Sequence, residues 1–410
     1  MSVKCAGNCI ICGKCGNFKI LDSFKLRISR EERSGFGIAV DIGTTTVVTA
    51  LVDLSSGKIE ARHSFLNPQR KYGPDVITRI HAANEGHLTE MRTMITEEIS
   101  RGIDTLTKGF LKRKIEEIVI TGNTTMIYLL LGFPCESLGT VPFKPEYPLA
   151  PRYIYSDVFP RQMQEKQQKY FKSISFNPET PVIFIPLFAA FVGSDITAGL
   201  LYVMTQQKNR FMLIDLGTNG EMALYNEGKL IVTSTAAGPA FEGSVCAASE
   251  TVAGASAVIE NLANLLRSDK IDETGLLAET ADENGDVCFF SQKQIRDLQL
   301  AKSAVRSGIE ILLDASGLDY NNIDALYLAG GIGQAMNVND AAEIGLIPSG
   351  LSGKTISAGN SSLGGAVRLL LSPCGAAEDT RKLLSGFREI NLAAYPGFND
   401  MFTDNMFFYR

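Results

Sequence analysis

The sequence contains no tryptophan, no long apolar run and no strong excess of either charge. Its longest apolar stretches, around Val182–Val192 and Met126–Leu131, fall well short of the ~20 residues that cross a bilayer. No membrane partner is expected. A formal net charge of −6 is mild and offers no concentrated basic face for nucleic acid. The amino terminus carries cysteines and lysine where a secretory signal would place an apolar core, so a cytoplasmic location is expected. These absences leave a soluble enzyme or switch.

What is present is size and glycine. A chain of 410 residues exceeds one ordinary core and suits two lobes of about 150–200 residues each. With 45% apolar residues and 38 glycines it reads as α/β, rich in tight strand-to-helix turns. The expected domains are a Cys-rich segment and connector over 1–35, a first lobe over 36–205 and a second over 206–410. The order of elements repeats. Phe36–Ile42, Val47–Asp53 and Lys58–Phe65 read as a three-stranded meander followed by helices at Asp75–Asn84 and Leu88–Lys114. Phe211–Leu216, Glu221–Asn226 and Lys229–Ser234 read as a second meander, followed by helices from Ser249 to Leu266 and over Gln292–Ala315. Such self-similarity signals an internal duplication.

Each meander opens on the same motif. In Asp41-Ile42-Gly43-Thr44-Thr45-Thr46 an acidic residue ends a strand and a Gly-Thr turn follows. Glycine lets a backbone approach phosphate closely, and successive N–H groups and hydroxyls supply neutral donors to its oxygens. The aspartate suits Mg²⁺, usually through water, because that ion dehydrates reluctantly. Asp215-Leu216-Gly217-Thr218-Asn219-Gly220-Glu221 repeats the chemistry in the second half. One such hairpin is common structural punctuation, but two in equivalent places point to ATP clamped between them. A third glycine turn, Gly330-Gly331-Ile332-Gly333, follows the strand Ala325–Leu328 and is expected against adenosine.

Together the three motifs resemble the superfamily of actin, hexokinase, acetate kinase and the seventy-kilodalton heat-shock chaperones. The resemblance implies a duplicated ribonuclease H-like, two-lobed ATPase fold, with Gly122–Thr125 and Gly359-Asn360-Ser361-Ser362 as connecting segments. It places Asp195, in Gly193-Ser194-Asp195, where carbohydrate kinases carry their catalytic aspartate; a helix N-cap is the plain alternative. Glu221 stands where related phosphatases and ATPases orient a water, and Asp41 and Asp215 serve the metal. Lys302 and Arg306, spaced i, i+4, either contact adenine or ribose or form a solvated stripe. Glu242 is a further candidate for the nucleoside.

Eight cysteines are unevenly spread. Cys135, Cys246, Cys288 and Cys374 read as small, partly buried apolar residues. Cys5, Cys9, Cys12 and Cys15 place four soft ligands on one short loop, and the run C-x2-C-x2-C lets consecutive thiolates reach the corners of a [4Fe–4S] cluster. Structural zinc, the alternative, usually takes two C-x2-C pairs separated by a longer loop. A disulfide framework is not expected in a cytosolic chain of this size.

Longer strings narrow the resemblance. Ala39–Thr46, Leu66-Asn67-Pro68-Gln69-Arg70, Gly73-Pro74-Asp75-Val76-Ile77 and Ile120–Met126 are similar to the reductive activators of corrinoid proteins. So are Thr235–Gly243, Leu298–Leu313, Tyr327–Gly333 and Phe398–Phe408. Members of that family use ATP to drive electrons from an iron–sulfur centre onto the cobalt of an inactivated corrinoid methyltransferase. The resemblance therefore implies an ATPase that restores cobalt(I) in a corrinoid protein, fed by a low-potential donor. The four-Cys loop stands where typical members carry a ferredoxin domain with plant-type spacing. Three alternatives keep their place: a small-molecule kinase with Asp195 as base, a non-redox ATP switch with zinc, and an activator of a radical dehydratase. The partner's identity, the donor and a homodimer stay open.

Overall fold

The computed structural model describes residues 32–108, 114–150, 152–159, 177–235, 237, 240–241, 252–278 and 290–408. Cys5, Cys9, Cys12, Cys15 and Glu242 lie outside the described residues, as does most of the expected connector. The chain divides into two units. One runs to Gln206 and adds Ser361–Ser385; the other holds Gln207–Asn360 and Gly386–Arg410. The sequence expectation of one continuous second lobe over 206–410 is corrected at Ser361–Ser385.

The first unit is built on a six-stranded sheet of order β3-β2-β1-β4-β6-β5. Its strands are β1 (Phe36–Ile42), β2 (Thr46–Asp53), β3 (Ile59–Leu66), β4 (Ile115–Gly122), β5 (Tyr153–Ile154) and β6 (Pro181–Phe184). β1 pairs antiparallel with β2 and parallel with β4, which pairs parallel with β6. Central strands of this kind are covered on both faces, so they read as nearly continuous apolar runs. Alternation decides which side chain meets which layer. Ile38, Val40 and Ile42 pack with Met91, Ile95, Ile99 and Ile103 of the Leu88–Thr107 helix and with the Thr124–Leu131 helix. Ala39, Ala50, Val52 and Val119 face the other way, onto Ala198 of the Ser194–Met204 helix and Leu363, Ala366 and Val367 of the Ser361–Leu371 helix. That second layer is why the late segment belongs here.

The second unit repeats the plan. Its sheet has the order β11-β10-β7-β8-β9-β12, with β7 (Arg210–Leu216), β8 (Gly220–Asn226), β9 (Lys229–Thr235), β10 (Ala325–Ala329), β11 (Thr355–Gly359) and β12 (Phe387–Glu389). β7, β8 and β9 form the antiparallel meander, and β7, β10 and β11 run parallel. Position for position this matches β1-β2-β3 with β4 and β6. Helices Val252–Arg267 and Gln292–Ser316 pack on this sheet through Val258, Leu262, Ile295, Val305 and Ile309. The second of these starts on a capping box: the Ser291 hydroxyl accepts from the Gln294 N–H, and the Gln294 side chain accepts from the Ser291 N–H. The expected duplication is thus present as two mixed α/β sheets of one design.

Smaller expectations shift. The Leu88 helix ends at Thr107 instead of Lys114, and the helix expected from Ser249 is described from Val252. Cys135 is buried, and desolvation pushes its thiol up to about 12; Cys374 is exposed, against expectation. Among the described residues no helix is long and apolar enough to cross a membrane.

Candidate functional site

In the first unit the β1–β2 turn is closed by its own backbone. The Gly43 N–H donates to the Thr46 carbonyl at 3.1 Å. A Cβ at position 43 would lie 2.6 Å from that same oxygen, so the turn closes only on glycine. The three carbonyls that follow are all engaged by protein donors. Gly43 O accepts from Asn67 Nδ2 at 2.9 Å, Thr44 O from Arg79 Nη2 at 2.7 Å, and Thr45 O from the Asn67 N–H at 2.9 Å. With its acceptors so occupied, the loop can offer a ligand only donors: backbone N–H groups and the hydroxyls of Thr44, Thr45 and Thr46. That donor set fits a phosphate.

Asp41 ends β1 opposite Thr121 of β4 and accepts a hydrogen bond from Ser362 Oγ at 2.8 Å. Ser362 continues to Thr121 Oγ1 at 3.3 Å, and Thr121 to Ser194 Oγ at 3.4 Å. The Ser194 hydroxyl then closes on Gly122, donating to its carbonyl and accepting from its N–H, both at 2.9 Å. One polar chain therefore ties two strand ends to the first turns of two helices. Asp195 follows directly. Gly193 holds the N-cap position of that helix, so Asp195 sits inside the first turn and is not the cap. Its carboxyl is pushed up to about 7, chiefly by desolvation, with the Asp41 carboxylate pushing the same way and the Ile196 N–H, at 2.9 Å, opposing both. A carboxyl poised near neutrality suits a general base.

In the second unit the Gly217 N–H donates to the Asn219 carbonyl at 3.0 Å, closing the β7–β8 turn. Asp215 and the buried Glu221 stand opposite one another on these strands, and Asn219 Nδ2 donates to Glu221 Oε1 at 3.3 Å. The glycine turn after β10 lies directly against this hairpin. A Cβ at Gly330 would fall 2.2 Å from Asp215 Oδ1 and 2.5 Å from the Leu216 carbonyl, and its φ is +78°. Glycine at 330 is therefore already demanded by the close approach of the hairpin. Gly331 is the second residue of the short Gly330–Ala335 helix.

Lys302 and Arg306 both lie on the Gln292–Ser316 helix. The buried Lys302 ammonium donates to the Phe407 carbonyl and stands 4.9 Å from the centre of the Phe408 ring. Arg306 pairs with Glu310 at 2.6 Å. The Lys302 contacts anchor the C-terminal segment to the Gln292–Ser316 helix, and its burial corrects the solvated stripe weighed for it, while the Arg306 pair lies within the helix. Among the described residues no three His, Cys, Asp or Glu are grouped to hold a metal ion. Mg²⁺ held by one or two carboxylates, waters and ligand phosphates needs no such group. Sequence reasoning passed over Asn67 and Arg79 as site residues, and Thr121, Ser194 and Ser362 as partners of Asp41. Four of these left a trace: Asn67 in Leu66–Arg70, Thr121 in Ile120–Met126, Ser194 beside Asp195 and Ser362 in Gly359–Ser362; Arg79 left none.

Comparison with known proteins agrees with this geometry. The family model described as the RACo middle region matches residues 36–208, and the one described as the C-terminal domain of RACo, the ASKHA domain, matches 209–262 and 254–410. The corrinoid activation enzyme RamQ of Eubacterium limosum is 31% identical over 445 residues, which cover 92% of this chain and 72% of that protein. A Co(II) methylated amine-specific corrinoid protein reductase of Methanosarcina barkeri is 23% identical over 398 residues, covering 82% and 70%. The solved structure of a reductive activator for corrinoid, iron-sulfur protein superimposes with a TM-score of 0.75 at 30% identity, covering 93% of this chain and 67% of that one. Two phosphate-type hairpins on duplicated sheets, with matches of this extent, place the chain in the RACo family, the reductive activators of corrinoid proteins.

Proposed function

We propose that this chain is an ATP-dependent reductive activator that returns a corrinoid protein, or a corrinoid-dependent methyltransferase, to its cobalt(I) state. The observation that carries the reading is the Asp–Gly–Thr hairpin standing at the same strand position in two sheets that share the order of five strands, in a chain of this family. Gly43, Thr44, Thr45 and Thr46 in one unit and Gly217, Thr218, Asn219 and Gly220 in the other donate to the phosphates of ATP. Asp41 and Asp215 hold Mg²⁺ through water, and Gly330 and Gly331 lie towards the nucleoside. Asp195 takes the proton of the attacking water, and Glu221 orients that water. The relatives' names supply the client, a corrinoid protein.

Cys5, Cys9, Cys12 and Cys15 would hold a [4Fe–4S] cluster, which would supply one-electron chemistry fed by a low-potential donor. Each electron moved uphill costs about 1.4 kcal/mol per ~59 mV, which is the physical reason for coupling reduction to ATP. Purification without oxygen, followed by iron, sulfide and zinc analysis and a visible spectrum, tests this part. Iron and sulfide in equal amounts, with a band bleached by a low-potential reductant, are expected. Stoichiometric zinc without iron would sink the redox role and leave an ATP-dependent switch. Hydrolysis is tested by phosphate release from Mg·ATP; no release with or without a corrinoid protein would remove the ATPase reading.

A further inference from the structure

Arg79, on the Val76–Ala82 helix of the first unit, is fully buried. Its guanidinium donates to three neutral acceptors: the Gly73 carbonyl at 3.0 Å, Met126 Sδ at 3.3 Å and the Thr44 carbonyl at 2.7 Å. Among the described residues no carboxylate forms an ion pair with it. The charges it feels are Arg70, of the same sign, and Asp75, whose carboxylate caps the same helix by accepting from the Thr78 N–H at 2.9 Å. Burial lowers its pKa only to about 10, so it stays charged at neutral pH.

A buried charge is ordinarily paired, because desolvating an ion is costly. Pinning a carbonyl does not require one. Asn67 holds the neighbouring Gly43 carbonyl with a neutral amide, at far lower desolvation cost. Thr44, the residue Arg79 holds, lies in the donor loop of the first hairpin. A fixed positive charge under a donor loop strengthens its field for an anion, and more so where water is excluded.

We propose that Arg79 is a positioning residue whose missing counter-ion is the phosphate chain of the nucleotide: it fixes the Thr44 carbonyl and supplies positive charge from behind the loop without touching the ligand. This rests on the reading of the hairpin as a phosphate site. The discrimination it confers follows ligand charge, so it acts on ATP more than on ADP, and on ADP more than on AMP.

The test is equilibrium binding of ATP, ADP and AMP to the full chain, wild type and two variants. In Arg79→Gln, ATP binding is expected to weaken about tenfold, ADP about threefold and AMP less than about twofold. Arg79→Lys keeps the charge and should bind ATP within about threefold of wild type. Equal weakening of all three nucleotides in Arg79→Gln, or a Lys variant as weak as the Gln variant, overturns the inference and leaves Arg79 as packing. Should Arg79→Gln fail to fold, wild type and Arg79→Lys decide the matter. Wild type must bind ATP at least about tenfold more tightly than AMP, and equal affinities overturn the proposal. A wild-type chain that binds no nucleotide at all overturns the phosphate-site reading beneath it.

Discussion

The Ser362 hydroxyl donates to the Asp41 carboxylate at 2.8 Å across 321 residues of sequence. The contact orients the carboxylate assigned to Mg²⁺ and joins it to the buried Thr121–Ser194 chain. Replacing Ser362 with Ala should cost about 1–2 kcal/mol in stability and remove this constraint on the Asp41 carboxylate. The Mg²⁺ concentration for half-maximal ATP turnover is then expected to rise several-fold, with ATP affinity in the absence of metal little changed. A metal titration of phosphate release reads both. An unaltered Mg²⁺ requirement would detach Asp41 from the metal.

Asp195 carries the clearest catalytic expectation. Asp195→Asn removes the base while keeping the shape of the first helical turn, so ATP binding persists and turnover falls by at least about a hundredfold. In wild type, kcat/KM reports the free enzyme. It should rise with pH through about 7 as the raised carboxyl loses its proton. Turnover in the Asn variant close to that of wild type would take Asp195 out of the reaction.

Gly330 and Gly353 form a matched pair for mutation. Gly330→Ala forces a methyl group to within 2.2 Å of the Asp215 carboxylate at a φ of +78°, and should destabilise the second unit by about 3 kcal/mol. Gly353 has nothing within 4 Å of an added Cβ and a φ of −69°, so Gly353→Ala should stay within about 0.5 kcal/mol of wild type. Denaturant unfolding of both variants checks the contrast. Equal effects would mean that the Gly330 turn has room it is not shown to have.

Lys302 makes stability depend on pH in the alkaline range. Desolvation, with Arg306 adding to it and Glu310 opposing, lowers its pKa from 10.5 to about 7 in the folded chain. Between those values the unfolded chain holds the proton more tightly, so stability rises with pH. The expected gain is about 2 kcal/mol between about pH 7 and pH 9. Below about 7 both states are protonated and the penalty is fully present. Lys302→Met should abolish the rise, and urea unfolding at the two pH values measures it. A Met variant with the wild-type slope would assign the effect to another group.

Legibility in the sequence followed distance along the chain. The hairpins were readable because Asp41–Thr46 and Asp215–Glu221 carry their chemistry within a few consecutive residues. The start of the long second-unit helix was readable too, since Ser291 and Gln294 satisfy each other locally. The support of the first hairpin was not. Asn67 and Arg79 reach it from 24 and 35 residues away, and an arginine in a helical stretch ordinarily reads as solvated surface. Lys302 shows the same limit from the other side: its spacing from Arg306 suggests an outward stripe, while Phe407 and Phe408, over 100 residues on, enclose it. Ser361–Ser385 fell within the second lobe expected over 206–410. Only the apolar face left by Ala39, Ala50 and Val119 explains its return to the first.

That return constrains how the protein is made. A ribosome delivers β1 to β6 early, but one face of their sheet has no complete cover until Leu363, Ala366 and Val367 emerge. The second unit waits as well, since β12 and the segment that encloses Lys302 come from Gly386–Arg410. Neither unit can finish folding during synthesis of its own main stretch, although domains generally fold as units in order of appearance. The nascent chain therefore carries two unfinished units until Ser361–Ser385 and Gly386–Arg410 have emerged. Truncation before Ser361 should leave both units unfinished.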